Sequence, residues 1–575
     1  MAAGSSYEPP VADYTFLFGE AFGLDIVARG SDGALTASDA TEIVAGAGDF
    51  AASVLAPLEV IGDRQGARLI DGEVRLPDGF ADAYRAFVDA GWIAAEAPVS
   101  AGGEGLPGTI SAGLGEVWNA SNAAFALCWL LTAGQIHALD AVASPRLRET
   151  FLSKLVSGEW TGTMNLTESE AGTDLGAIRT TATPRDDGTW AIRGQKIFIT
   201  WGDHDMAENI VHLVLARTPG APEGAKGLSL FVAPRIMVND DGTLGERNAI
   251  TTVAIEHKLG IHGSPTCVLA YEDATGYLVG ELHGGLAGMF VMMNSARVAM
   301  GYQATGISDR AYQQAVAYAH ERMQGPVLGR PAGTPIAEHP DVRRLLLSMS
   351  SRIFAMRALG VFVGDLFDRA DADAGTRALA EFFVPILKGW ATEDALLVTS
   401  DAIQVHGGMG FIEETGIAQH SRDARITTIY EGTTAIQSND LVGRKVLRDR
   451  GATAEALFVQ IEQTIEQLRG HEHPIAARTA ERLARAVAAA RRATESLLGM
   501  AGSPRDAFAV SVPYLMLLGA LAGGWMHGFA VTAVLGHASE SADDAQRLTG
   551  ADFYGAHHLP RVHALAETVA AGEVA

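Results

Sequence analysis

Between residues 161 and 283 the chain carries a run of short strand-like segments with no helical pattern between them. They include TWAIRGQKIFITWG (189–202), NIVHLVLART (209–218), GLSLFVAPR (227–235), TTVAIEHKLG (251–260) and TCVLAYEDATGYLVGE (266–281). All are rich in β-branched and aromatic residues and are separated by Gly, Pro or Asp turns. On both sides the apolar spacing switches to three and four residues, the helical period. A doubly wound parallel sheet needs strands that alternate with helices, so this order excludes it. The order predicts a mixed fold with its α and β parts segregated. A helical domain spans 1–160, a central antiparallel β-barrel or sandwich 161–283, a helical bundle 284–450, and a helical extension 451–575.

The helical parts are strongly patterned. Segments 37–66 and 79–95 precede the strands, with Asp39 and Asp82 placed as first-turn acids. Segments 289–323, 340–367, 381–407 and 483–498 follow them. The stretch FAVSVPYLMLLGALAGGWMHGFAVTAVLG (508–536) is long enough to cross a bilayer. It contains Pro513 and His527, however, and no Lys or Arg flank orients it. Its small residues Gly519, Ala520, Gly523 and Gly524 suit close helix packing, so a buried helix is expected and no membrane span.

Charge narrows the partners. With 43 Lys and Arg against 68 Asp and Glu, the net charge is −25. Such a surface repels phosphate backbones and anionic membranes, which argues against nucleic acid as the main partner. Cys128 and Cys267 are too few for a disulfide framework or a Cys-rich zinc site. The first twenty residues have no basic-then-apolar leader, so a cytoplasmic location is expected.

Gly407, Gly408 and Gly410 do not form a G-x-G-x-x-G turn after a strand, and there is no G-x-x-x-x-G-K-[ST] or H-E-x-x-H. His204 with Asp205, and His257, read as structural groups, so no metal is expected. Four other segments combine chemistry-bearing residues. MNLTESEAGTD (164–174) offers hydroxyls and backbone N–H groups; GQKIFITWG (194–202) is an apolar strand ending in Thr200; QVHGGMGF (404–411) is a Gly-rich turn. In RDARITTIYEGTTAIQSNDLVGR (422–444), Glu431 follows Ile429 and Tyr430 and precedes Gly432. A carboxylate half-desolvated there gains basicity and suits a general base.

In this order and spacing the four segments resemble those of the acyl-CoA dehydrogenase family of flavoproteins, over residues 20–447. The family fold is a helical domain, a β-domain and a helical bundle. The extension is similar to that of long bacterial members, among them enzymes acting on 3-methylmercaptopropionyl-CoA. The resemblance implies FAD as cofactor and α,β-dehydrogenation of an acyl-CoA thioester, the acyl group being 3-methylmercaptopropionyl or fatty. Glu431 takes the α-proton while a hydride leaves Cβ for flavin N5.

The resemblance also assigns roles to positions. Leu166 and Thr167 contact the isoalloxazine, Thr173 lies near the flavin, and Phe198 and Thr200 lie along it. Arg322 binds the FAD pyrophosphate of a neighbouring subunit. The usual R-x-x-F-G is shortened here to Arg322-Met323-Gln324-Gly325, so Gln324 takes the place of the usual Phe. Gln404, Gly407 and Gly408 complete the ADP half, and Thr433 touches the FAD phosphate. Asn294, Arg297 and Gly432 fall to the acyl-CoA. A homo-oligomer, a dimer or larger, and electron-transfer flavoprotein as acceptor follow from the same resemblance. The rivals are an acyl-CoA oxidase that uses O₂ and a DNA-associated alkylation-response relative. For the latter, the Arg cluster at 478, 482, 485, 491 and 492 is interleaved with acids.

Overall fold

A computed structural model describes residues 7–23, 25–537 and 541–572. Its contacts divide the chain into two compact units. One comprises Met1–Ala52, Pro107–Ser121 and Arg297–Ala575, the other Ser53–Leu106 and Asn122–Ala296. The Gly108–Val142 helix changes unit at Asn122, whose backbone leaves the helical region (φ −162°, ψ 90°). The Asn122 side chain accepts from the Phe125 N–H at 3.1 Å and so caps the second half.

The second unit contains the strands. A seven-stranded sheet runs in the order Ile250–Ile255, Thr266–Val279, Trp190–Thr200, Thr181–Pro184, Asn209–Arg217, Trp160–Asn165. The remaining strand, Leu228–Pro234, pairs with both Thr266–Val279 and Asn209–Arg217 and closes five of the strands into a ring. Most ladders are antiparallel. Trp160–Asn165 and Thr181 pair in parallel with Asn209–Arg217, a detail that alternation along single strands does not reveal. Ile192, Ile199, Val214, Phe231, Leu269 and Tyr271 fill the interior. His204, one of the residues weighed as a metal ligand, is buried and paired with the Thr161 hydroxyl at 2.8 Å, and burial lowers its imidazole to about 3.

The first unit is built of long helices, chiefly Pro340–Asp368, Ala374–His406, Ala452–Arg469, Pro474–Gly499 and Ser511–Gly536. Buried Arg357 ties three parts of it together. It donates to Glu116 at 3.0 Å and to Asp309 at 3.0 Å, and it pairs with Asp13. Ser511–Gly536 lies inside the bundle, with 83% of its apolar window covered by protein. Its glycines mark the close approaches: a Cβ on Gly519 would come within 2.2 Å of the Trp390 ring, and one on Gly523 within 2.2 Å of the Tyr554 hydroxyl. The expected buried helix is therefore observed, for the expected steric reason.

Candidate active site

In the β-containing unit, the 164–174 motif folds back on itself as Glu168 and Ala171 exchange backbone hydrogen bonds of 3.2 and 3.0 Å. Two bonds fasten it to the strand Trp190–Thr200. The Ile197 N–H donates to the Thr167 carbonyl at 2.9 Å, and Lys196 Nζ donates to the Leu166 carbonyl at 2.9 Å. Lys196 also reaches Glu168 at 2.8 Å. Burial lowers the Lys196 ammonium to about 8, against the pull of Glu168. Burial alone would raise the Glu168 carboxyl. Lys196, with donors from Thr180 and Arg179, outweighs it and holds the group below its ordinary range. Neither residue belongs to a recognisable catalytic pattern in the sequence, although strand alternation places Lys196 on the same inward face as Ile192.

That strand is irregular where it matters. Its register with Thr266–Val279 shifts between Cys267 and Leu269, and Phe198 occupies the bulge with φ 59°. A left-handed aromatic residue is rare, and this one is 58% exposed. Bulges re-aim side chains beside active sites. Leu166 is buried, Thr167 and Thr200 are half-buried, and Thr173 is exposed. An exposed phenyl ring with hydroxyls near it in the fold suits a flat, polar-edged ring system, so these residues fit an isoalloxazine. Asn294 is exposed on the Gly285–Glu321 helix.

The helical unit holds the remaining candidates. Glu431 is half-buried and, unusually for a non-glycine, left-handed at φ 54°. Gly432 follows at φ 90°, a left-handed backbone that favours glycine, and a Cβ there would come within 2.9 Å of Gln437 Nε2. Gln437 Nε2 donates to the Glu431 carbonyl at 3.0 Å, and Lys388 Nζ to the Gly432 carbonyl at 2.6 Å. The Tyr430 hydroxyl donates to Gln303. Burial pushes the Glu431 carboxyl up to about 7, against the downward pull of Arg297 and Lys388. Arg297 is itself buried, and burial lowers its guanidinium while Asp440 and Glu431 support its charge. The structure thus brings Arg297 within electrostatic reach of Glu431.

Thr433 caps the helix Thr434–Asp440 by accepting from the Ile436 N–H at 3.3 Å, which leaves its O–H as a donor. The helix Ala374–His406 ends at Gly407 (φ 60°), whose N–H returns to the Gln404 carbonyl. His406 stacks on Tyr318 with ring centroids 4.3 Å apart, which sets this turn beside the end of Gly285–Glu321. Arg322 follows that helix and donates to Gln324 at 3.3 Å. Arg322, Gln324, Gln404, Gly407 and Gly408 are all exposed, as are Met323, Met409 and Phe411.

In the helical unit, a carboxylate whose proton affinity burial raises, on a turn fixed by Lys388 and Gln437, suits proton removal. In the β-containing unit, the exposed aromatic bulge at Phe198 suits a flat redox ring. Known proteins agree. Residues 163–274 match the model of the acyl-CoA dehydrogenase middle domain, 283–446 that of the acyl-CoA dehydrogenase C-terminal domain, and 457–575 a model described as acetyl-CoA dehydrogenase C-terminal like. The chain belongs to the acyl-CoA dehydrogenase family. It is 50% identical over 504 residues to 3-methylmercaptopropionyl-CoA dehydrogenase of Ruegeria pomeroyi, 86% of each chain. It is 32% identical over 602 residues to a broad-specificity linear acyl-CoA dehydrogenase of Mycobacterium tuberculosis, covering 98% of this chain and 97% of the other. Among solved structures, Caenorhabditis elegans ACDH-11 in complex with C11-CoA superposes with TM-score 0.77 at 20% identity, covering 97% of this chain and 93% of that one. An acyl-CoA dehydrogenase complexed with FAD from Bacillus anthracis gives 0.73 at 21%, covering 92% and 88%. The chain is a FAD-dependent enzyme that dehydrogenates an acyl-CoA thioester.

Proposed function

We propose that Glu431 is the base that removes the α-proton of the acyl-CoA. The observation that carries this is its carboxyl, raised to about 7 by burial in a turn fixed by Lys388 and Gln437. A thioester α-proton is too weakly acidic for an ordinary carboxylate. Desolvation raises the basicity of Glu431, and its backbone N–H, donated to the thioester carbonyl, stabilises the enolate-like charge that develops. Gly432 lets the chain turn closely there. Arg297 and Asn294 serve the CoA arm.

FAD, when bound, would supply the hydride acceptor. Leu166, Thr167, Thr173, Phe198 and Thr200 hold its ring, and Thr433 donates to its phosphate. Arg322, Gln324, Gln404, Gly407 and Gly408 serve the FAD of a second copy, so the enzyme works as a homo-oligomer. The exposed Met323, Met409 and Phe411 near these residues in sequence support an interface there. The acyl group is 3-methylmercaptopropionyl or a fatty chain, the relative from Ruegeria pomeroyi favouring the former. Electrons pass to an electron-transfer flavoprotein in the cytoplasm.

Glu431→Gln tests the base. It keeps the size of the side chain and the backbone N–H and removes only the proton acceptor. Acyl-CoA and FAD still bind, and anaerobic flavin bleaching slows by at least the ~10²–10⁴ of a general base. Bleaching at the wild-type rate would show that another group takes the proton.

A further inference from the structure

Lys388 has no exposed surface, and it interrupts the apolar run Phe382–Leu387. Burying an ammonium group is costly unless it is paired. Its ammonium group donates to the Gly432 carbonyl, in the turn that carries Glu431. The charged groups that bear on it are Glu431 and Glu393, which favour its charge, and Arg297, which opposes it. Glu393 accepts from the Thr434 hydroxyl at 2.6 Å, and Arg297 is shared with Asp440. Those that bear on Glu431 are Arg297 and Lys388. Lys388 therefore touches the turn's backbone and also acts on the charge of its carboxylate.

We propose that Lys388 is a positioning residue for the base: its ammonium group, bonded to the Gly432 carbonyl, holds Glu431 in its left-handed conformation and fixes a positive charge beside the carboxylate. This rests on the assignment of Glu431 as the base. A left-handed glutamate persists only where its surroundings hold it. Released from Lys388, Glu431 relaxes toward negative φ, and its carboxylate and N–H move together. The charge acts separately. A nearby cation favours the carboxylate form, so its loss shifts deprotonation of Glu431 to higher pH.

The test uses Lys388→Met, Lys388→Gln, Glu431→Gln and the double variant Lys388→Met/Glu431→Gln as holoenzymes. Anaerobic bleaching by 3-methylmercaptopropionyl-CoA is followed across pH. Lys388→Met is expected to bleach about 10²-fold more slowly, the scale of a displaced catalytic group, with its pH midpoint raised and its FAD content unchanged. Lys388→Gln keeps a donor but no charge, so it regains rate and keeps the raised midpoint. Lys388→Met adds nothing in the Glu431→Gln background. The proposal is overturned if Lys388→Met stays within about threefold of wild type at every pH with an unmoved midpoint. It is equally overturned if the rate loss is undiminished in the Glu431→Gln background, or if both Lys388 variants unfold. Wild-type bleaching by Glu431→Gln alone would instead remove the base assignment, a result distinct from a silent Lys388→Met beside an inactive Glu431→Gln.

Discussion

Lys196 Nζ lies 2.8 Å from Glu168 Oε1, and the lysine has no surface exposed to solvent. The pair locks the 164–174 loop to the strand that carries Phe198 and Thr200. Breaking a buried pair leaves one charge uncompensated and typically costs about 3–5 kcal/mol. Lys196→Met is therefore expected to lower the melting temperature and to release FAD more readily on gel filtration. An unchanged Tm with full FAD content would mean that the loop is held by its backbone bonds alone.

The pH dependence of kcat/KM follows from Glu431. Its carboxyl is raised to about 7 by burial. Below that pH it is protonated and cannot accept a proton, and above it the charged base is ready. Activity at limiting substrate should rise with pH through a midpoint near 7. A midpoint at the ordinary glutamate value, near 4.3, would show that the carboxylate is solvated during turnover.

Arg322 is exposed and donates to Gln324. If it serves the FAD of a second copy, Arg322→Ala weakens FAD binding by the ~1.5–3 kcal/mol of a charged hydrogen bond and leaves the Tm of the apoprotein unchanged. Native mass spectrometry of the wild type should show a holo-oligomer. A stable holo-monomer would sink the shared-site reading.

Assayed with a dye acceptor, 3-methylmercaptopropionyl-CoA should rank among the best substrates in a panel of acyl-CoAs. Hydrogen peroxide should form far more slowly than dye is reduced. Peroxide released at the rate of dye reduction would move the enzyme to the oxidase branch.

Much of this was legible in the sequence because it depends on local pattern. The order of helices, strands and helices, the burial of 511–536 and the first-turn acids Asp39 and Asp82 follow from periodicity and composition. What escaped depends on distant partners. The left-handed bulge at Phe198 arises from a register shift against Cys267–Leu269, which no single strand announces. Lys196 and Lys388 stood in plain view as lone cations in apolar surroundings. Their meaning lies in the Leu166 and Gly432 carbonyls that they meet across the fold.

Three consecutive residues of the helix Ala374–His406 point to different neighbours. Lys388 meets Gly432, a Cβ on Gly389 would touch Leu515 at 2.8 Å, and Trp390 occupies the space left by Gly519. Ser511, at the start of the same extension helix, bonds to Ser438 at 2.9 Å and Asn439 at 3.0 Å, just beyond the base. The extension is thus no detachable module. An engineer who trims the chain near 450 to obtain a minimal catalyst, or who grafts this tail onto a shorter relative, alters the scaffold behind Glu431 itself. Positions 515 and 519, more than eighty residues downstream of the base, belong in any library meant to tune its reactivity.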